Sequence, residues 1–435
     1  MAATASRPAG LRHCMVVYAY YPLGETRVQR EAEILAKAGY AVDVICLRAY
    51  GELPRERYRG VEVHRLPLRR DKRNLAFQFL SYLRFMLRAS ARLTKLHLDH
   101  PYRTVQVHNL PDFLVFCAIV PKIKRVPVIL DLHDLMPEFF AGRYGSGRNG
   151  LAARMIRWQE RAACRFADHV ITVSDHWRTA LVQRRVSPDK VSVIMNVADQ
   201  SIFRPRAPRP RGPEFRLIYH GTVTYRYGLD LALLAVAIVR DEIPSIRLTI
   251  VGNGDQMQRL FDLRRVLRLE NFVELRDKLV LVEELPQVIG AADVGIVPYR
   301  NDVFTDGLLP TKLMEYAAMR IPSIAARTTA IDAYFRNTMV EFFEPDDAID
   351  LARCIRRLHE DPEHLAALAE RSENFLRRHD WATIGERYVD LVSSLPDTRG
   401  PLGPESDSRG DMPEQQGITR RVVRRQFIHG RSRLE

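Results

Sequence analysis

Residues 305–323 read TDGLLPTKLMEYAAMRIPS. Glycine and proline fill the first part, helical spacing begins near Thr311, and Ser323 opens a short apolar run. Loop, helix and strand follow one another, which is one repeat of an α/β fold. The start of such a helix offers unpaired amides and a positive dipole end, both suited to a phosphate. Lys312 falls in the first turn, where a cation is unfavourable unless an anion binds there. Glu315 lies one turn along, on nearly the face of Thr311 and Lys312. A carboxylate accepts well from vicinal hydroxyls such as those of a ribose. One helix start therefore suits a diphosphate and a nucleoside sugar together. The plain alternative is a solvated i,i+3 ion pair.

The same alternation runs outward in both directions. Strand-like runs are Cys14–Tyr20, Val42–Leu47, Val61–Leu66, Thr104–His108, Val126–Leu132, His169–Val173 and Val191–Met195. Between the first two, Arg27–Ala38 has helical spacing, with Thr26 as the expected N-cap and Gly39 as the stop. The Pro- and Arg-rich stretch 198–213 interrupts the series and reads as a linker. A second series follows with strands Phe215–His220, Arg247–Val251, Phe272–Leu275, Val294–Pro298, Ser323–Ala326 and Val340–Phe343. Its helices include Leu229–Arg240, Glu283–Ala292, Thr311–Met319 and Ala348–Glu360. Near-continuous Val/Ile/Leu strands alternating with helices predict doubly wound parallel sheets. The expected organisation is a Rossmann-like domain over 1–197, the linker, a second such domain over 214–395 and a disordered basic tail over 396–435. Two such domains facing each other would make a cleft, with ligands at the strands' carboxyl ends.

Composition sets bounds. Of 435 residues, 46% are hydrophobic and 27% charged, which excludes a wholly disordered chain. The formal charge of +13 is concentrated. Residues 61–100 carry 9 basic against 3 acidic groups, and 418–434 carry 6 arginines and no acid. No apolar run approaches the ~20 residues of a membrane span. Met1–Gly10 lacks the apolar core of a signal peptide, so a cytoplasmic location is expected. The five scattered cysteines read as buried, reduced thiols.

Other segments carry chemistry. Tyr219–Asp230, YHGTVTYRYGLD, ends a strand at Gly221 and places Arg226 in a short loop before Gly228. A guanidinium there suits a diphosphate, since it binds phosphate oxygens in pairs. Ile250–Gly254, IVGNG, leads a strand into a Gly-rich turn at Gly252. In the first half, Tyr20–Arg27 is a loop with Gly24 and Arg27. Val126–Glu138 closes an apolar strand on Asp131, His133, Asp134 and Glu138. Ionisable groups at the end of a buried strand need partners. His133 suits donation to a substrate hydroxyl or a developing charge. His108, Asn109 and Asp112 end the preceding strand similarly. Asp131, His133 and Asp134 are conceivable metal ligands, but no second ligand cluster accompanies them, and no metal is expected.

Together these segments resemble the retaining glycosyltransferases of the GT-B fold, specifically glycosyltransferase family 4, over roughly residues 14–395. The resemblance rests on DLHDLMPE, ADHVITVSDHWRTAL with VSVIMNVADQSIF, HGTVTYRYGLD, IRLTIVGNG, AADVGIVPY and LPTKLMEYAAMRIPSIA, in family order. It implies a nucleotide-sugar donor, a UDP- or GDP-sugar, bound mainly by the second domain without a metal or other cofactor. Glu315 matches the glutamate that holds the ribose hydroxyls. Arg226 and Lys312 would clamp the diphosphate, helped by amides near Pro310 and Thr311. His133 matches the histidine beside the transferred sugar, and Gly24 the loop glycine that approaches the phosphates. Arg226, Lys312 and His133 are the expected catalytic groups. Gly24, Arg27, His108, Asp134, Gly221, Gly252, Asp306, Gly307, Pro310, Thr311 and Glu315 are the expected substrate contacts.

The chain departs from the family pattern at several positions. Gly307 stands where the first of two glutamates is usual, with Asp306 adjacent. The usual Arg and Lys of the phosphate loop fall on Thr222 and Tyr227. Arg320 stands in place of the glycine before the IPS strand. These departures keep open a GT-B-fold epimerase, hydrolase or catalytically degenerate subunit.

The basic segments point elsewhere. Arg84, Arg88, Arg92 and Lys95 recur at helical spacing, while Leu75, Phe79, Tyr82, Leu83 and Met86 lie on another face. Such a helix suits an anionic membrane surface, or else packs its apolar side on the sheet. The expected partners are a nucleotide sugar, a glycan or lipid-linked acceptor, and an anionic membrane at the inner face of the cell membrane. Nucleic acid is not expected, because no groove-reading motif or stacking platform accompanies the charge.

Overall fold

The computed structural model describes residues 11–22, 25–70, 75–144, 150–205, 212–278 and 280–396. Gly24 and the basic tail lie outside them. The first series comprises β1 (Arg12–Tyr20), α1 (Thr26–Lys37), β2 (Ala41–Leu47), β3 (Arg55–Tyr58), β4 (Val61–Leu66), α2 (Leu75–Asp99), β5 (Thr104–His108), α3 (Ile119–Ile123), β6 (Val128–Leu132), α4 (Met136–Tyr144), α5 (Leu151–Phe166), β7 (His169–Thr172), α6 (Asp175–Gln183) and β8 (Val191–Val193). Its eight strands form one sheet in the order β3-β4-β2-β1-β5-β6-β7-β8. The strands were legible because β1, β2, β5, β6 and β7 are buried along nearly their whole length. β3 was not expected. It is an antiparallel edge strand, RERY, whose exposed arginines alternate with half-buried Glu56 and Tyr58.

The second series comprises β9 (Phe215–His220), α7 (Leu229–Val239), β10 (Ile246–Gly252), α8 (Met257–Val266), β11 (Val273–Asp277), α9 (Leu285–Ile289), β12 (Val294–Val297), α10 (Thr311–Ala318), β13 (Ser323–Ala326), α11 (Thr329–Tyr334), β14 (Glu341–Phe343), α12 (Ala348–Glu360), α13 (Pro362–Arg378) and α14 (Trp381–Ser394). The sheet order is β11-β10-β9-β12-β13-β14, with every pair parallel. The strand order reverses between β9 and β12. In open α/β sheets the ligand crevice lies at that switch point, beyond the carboxyl ends of the strands. Both sheets are therefore Rossmann-like.

By contacts the chain groups into two compact units. One holds the described residues up to Gln106, Cys117–Val128 and Leu391 onward. The other holds Val107–Phe116 and Ile129–Asp390, so β6, β7 and β8 belong with the whole second sheet. Inside this second unit, Tyr334 Oη donates to Asp175 Oδ2 at 2.9 Å and accepts from the Asp175 amide at 2.8 Å. The ring of Phe139 on α4 meets Phe304 edge to face at 5.5 Å.

Local details correct two expectations. Thr26 is the first helical residue of α1. Glu25 holds the cap position, without a side-chain cap bond. In α2 the buried positions are Phe85, Ala89, Leu93 and His97. Phe79, expected on the apolar packing face, is 57% exposed. Arg84, Arg88 and Lys95 are exposed, as are Leu80, Leu87 and Leu98. All five cysteines are buried and free of disulfides.

Candidate active site

The loops after β9 and β12 and the start of α10 converge at the switch point. Gly221 follows β9 with φ +114°, a conformation that favours glycine, and the Lys312 Cε atom lies beside it. A side chain at Gly252 would run into the Gly221 carbonyl, so the ends of β9 and β10 approach as bare backbone. Pro310 precedes α10 and has no side-chain acceptor for its first amides. Thr311 is half-buried in the first turn.

Lys312 is buried in a box of tyrosines. Its Nζ lies 5.0 Å from the Tyr219 ring, 5.1 Å from Tyr227 and 5.0 Å from Tyr299. It also donates to Tyr299 Oη at 2.7 Å. Tyr227 and Tyr299 stack at 4.5 Å. Aromatic faces attract a cation, so they replace part of the hydration that burial removes. Burial still lowers the Lys312 pKa to about 8, against the opposing pull of Glu315. Tyr227, which occupies the usual lysine position, is thus one wall around a lysine supplied by α10. Its own pKa is pushed up to about 12, first by burial and then by the Asp134 carboxylate.

Glu315 lies one turn further along α10. Its Oε2 is 3.2 Å from His220 Nε2 at the end of β9. His220 is buried, and burial together with Lys312 lowers its pKa to about 3, so it stays neutral beside the carboxylate. Tyr316 Oη donates to the Ile218 carbonyl at 3.2 Å and locks the helix onto β9.

Arg226 sits in the short turn Tyr225–Tyr227. Its guanidinium lies 4.7 Å from the Phe304 ring and 5.4 Å from Phe139, held between aromatic faces. Its Nη1 is buried with no hydrogen-bond partner among the described residues. A buried guanidinium edge with unused donors is matched to an anion.

A second cluster forms where β5 and β6 end. His108 Nδ1 is 3.0 Å from Asp131 Oδ2, His133 Nε2 is 3.3 Å from the same oxygen, and the two ring nitrogens face each other at 3.1 Å. Each ring nitrogen can donate to the carboxylate or share a proton with the other ring, according to its tautomer. Among the described residues these three form a group with potential ligating atoms within 4.8 Å of one another. Asp134 lies outside that group. Asn109 anchors the cluster from behind. Its Oδ1 accepts from the His133 amide at 2.9 Å, and its Nδ2 donates to the Asp134 carbonyl at 2.6 Å and to Asp112 Oδ1 at 2.9 Å. Asp112 is fully buried. Burial, then nearby Glu160, pushes its pKa up to about 8.

Three expected contacts are otherwise engaged. Asp306 accepts from the Thr329 amide at 2.8 Å and caps α11. Gly307 packs against Trp177, the largest fully buried side chain. Arg27 is buried in α1 and pairs with Glu31 at 3.0 Å, which also accepts from Gln106 at 2.8 Å. Arg320, at the usual glycine position, adopts φ +54°, so the turn keeps its left-handed backbone. The tyrosine box, His220 and Trp177 were missing from the residues expected from sequence, and Asp131 was read there only as a conceivable metal ligand.

Family models agree with this architecture. Residues 24–196 match the glycosyl transferase 4-like domain, and residues 214–361 match glycosyl transferases group 1. A glycogen synthase of Mycobacterium tuberculosis is 28% identical over 311 residues, which is 69% of this chain and 71% of that protein. Sucrose-phosphate synthase from Thermosynechococcus elongatus superposes with a TM-score of 0.70 at 18% identity, covering 88% of this chain and 98% of that one. Anabaena HepE in complex with UDP-glucose superposes with a TM-score of 0.65 at 18% identity, covering 88% and 100%.

Proposed function

Because the chain belongs to the family 4-like glycosyltransferases of the GT-B fold, we propose that it is a retaining hexosyltransferase using a nucleotide-diphosphate sugar. The observation that carries this reading is the start of α10. There a buried ammonium, Lys312, and a carboxylate, Glu315, stand one turn apart at the switch point of the second sheet. The carboxylate accepts the ribose hydroxyls. Lys312, Arg226 and the first amides of α10 neutralise the diphosphate, so no metal is needed there. The UDP-glucose complex of HepE supports a UDP-sugar as donor.

In the reaction the bond between the anomeric carbon and the diphosphate oxygen breaks. The acceptor oxygen bonds the same carbon on the same face, and its proton passes to the departing phosphate. Arg226 and Lys312 stabilise the charge that develops on the leaving group. His133, oriented by Asp131 and Asn109, lies beside the transferred sugar. The acceptor is a hydroxyl of a glycan or a lipid-linked sugar, in polysaccharide or glycolipid synthesis. No helix among the described residues is long and apolar enough to cross a membrane. The basic outer face of α2 holds the enzyme at an anionic membrane from the cytoplasmic side.

Labelled donor incubated with and without a lipid extract tests this reading. Transfer of label into lipid or glycan supports it, and release of free sugar alone rejects it in favour of a hydrolase. Glu315→Ala is expected to weaken UDP binding by about tenfold or more, the scale of a lost charge-assisted hydrogen bond. Unchanged affinity by calorimetry removes Glu315 from the site.

A further inference from the structure

The first two turns of α5 hold no buried side chain. The buried residues of this helix, Glu160, Ala163 and Cys164, all lie in its second half. In the first half, Leu151 is 79% exposed, Met155 70% and Trp158 72%. Their spacing of four and three residues places them in one stripe along the helix. Large apolar side chains exposed singly are ordinary. A contiguous stripe with a tryptophan marks a surface that is covered in use.

The charge around the stripe narrows what covers it. Arg154, Arg161 and Arg165 are exposed and Arg157 is half-buried. The sole acid of the helix, Glu160, is buried and accepts from Arg184 at 2.8 and 3.0 Å. The exposed surface of α5 is thus apolar and cationic, with no acid. Apolar side chains flanked by arginines, with tryptophan among them, match a helix lying in the plane of an anionic bilayer. The stripe is two turns long, which suits shallow seating among headgroups and is far too short to cross the bilayer.

We propose that α5 is a membrane-seating helix, with Leu151, Met155 and Trp158 inserted at the headgroup boundary and its arginines on anionic lipid. The inference rests on the peripheral-membrane reading of α2, but assigns the apolar insertion to a different helix.

Trp158 supplies its own probe. The chain has three tryptophans, and Trp177 is fully buried. The full chain is mixed with vesicles of phosphatidylcholine, with or without phosphatidylglycerol, carrying brominated acyl chains. Expected is binding that requires the anionic lipid, with fluorescence quenching that disappears in Trp158→Phe. Leu151→Ser with Met155→Ser is expected to weaken binding by about tenfold or more, because each inserted side chain adds to the partition. Both sites are exposed, and an unchanged melting temperature verifies folding. Binding without Trp158 quenching, or undiminished binding of the double variant, overturns the role of α5 and leaves that of α2 standing. No vesicle binding overturns both. Self-association in light scattering that the double variant abolishes assigns the stripe to a second copy of the chain and also overturns the proposal.

Discussion

Trp177 fills the space that any side chain at Gly307 would need. A Cβ at Gly307 would lie 2.5 Å from Cζ3 of the indole, closer still to Cη2, and 2.8 Å from Cδ2 of His176. The glutamate usual at this position has no room here. Gly307→Ala is expected to destabilise the protein by about 1–3 kcal/mol, the range for overpacking a close-packed site. Combining it with Trp177→Leu should cost less than the sum of the two single changes, measured by urea melts. Additive losses would show that the two residues do not compete for the same volume.

Lys312 makes nucleotide affinity depend on pH. Its pKa, lowered by burial to about 8, leaves it mostly charged at neutral pH and mostly neutral a unit above that value. A bound diphosphate favours the charged form. Affinity for UDP should therefore fall by about tenfold between pH 7 and pH 9. Lys312→Met should bind more weakly at pH 7 and lose most of that dependence. Calorimetry across the range decides, and a flat wild-type profile would exclude the ammonium from binding.

Much of this site was legible in the sequence, for stateable reasons. The start of α10 shows Lys312 and Glu315 because both lie on one turn of one helix. The strands show because burial on both faces demands runs of Val and Ile. The tyrosine box was not legible. Tyr219, Tyr227 and Tyr299 meet only because β9 and β12 are neighbours in the sheet, although 73 residues separate His220 from Val294 in sequence. Arg27 did carry a signal: Glu31 four residues on is the spacing of a helical ion pair. α2 was misread on its packing face, because its exposed half holds aromatic and aliphatic residues as large as those inside.

Asp112 should be a stability liability above acidic pH. Its folded-state pKa of about 8 lies above the ordinary carboxyl value, so the fold favours the neutral acid. As pH rises from the ordinary value toward 8, the unfolded chain ionises first and stability falls. Asp112→Asn keeps an acceptor for Asn109 and removes the ionisable carboxyl. Its melting temperature should exceed that of the wild type by at least about 1 °C at pH 8, the response to roughly 1 kcal/mol in a chain of 435 residues. The gain should shrink toward pH 5. A constant difference across pH would contradict the assignment.

Asn109 acts through the backbone of His133 and Asp134. Asn109→Ala removes all three of its side-chain hydrogen bonds at once. In steady-state transfer assays kcat should drop by about 10–100-fold, the scale of a misplaced catalytic group, with UDP affinity unchanged. An equal loss of UDP affinity would mean that the change spreads to the second sheet.

The hydrogen bonds between Asp175 and Tyr334 have an evolutionary consequence. They join a helix of the first series to one of the second across the Pro- and Arg-rich stretch that separates them in sequence. Two relatives cut and rejoined at that stretch would inherit mismatched partners at this seam, as well as at Trp177 and Gly307. Gene fragments for this enzyme are therefore not freely interchangeable parts. Drift in one half constrains drift in the other, and a working hybrid has to carry the paired positions over together.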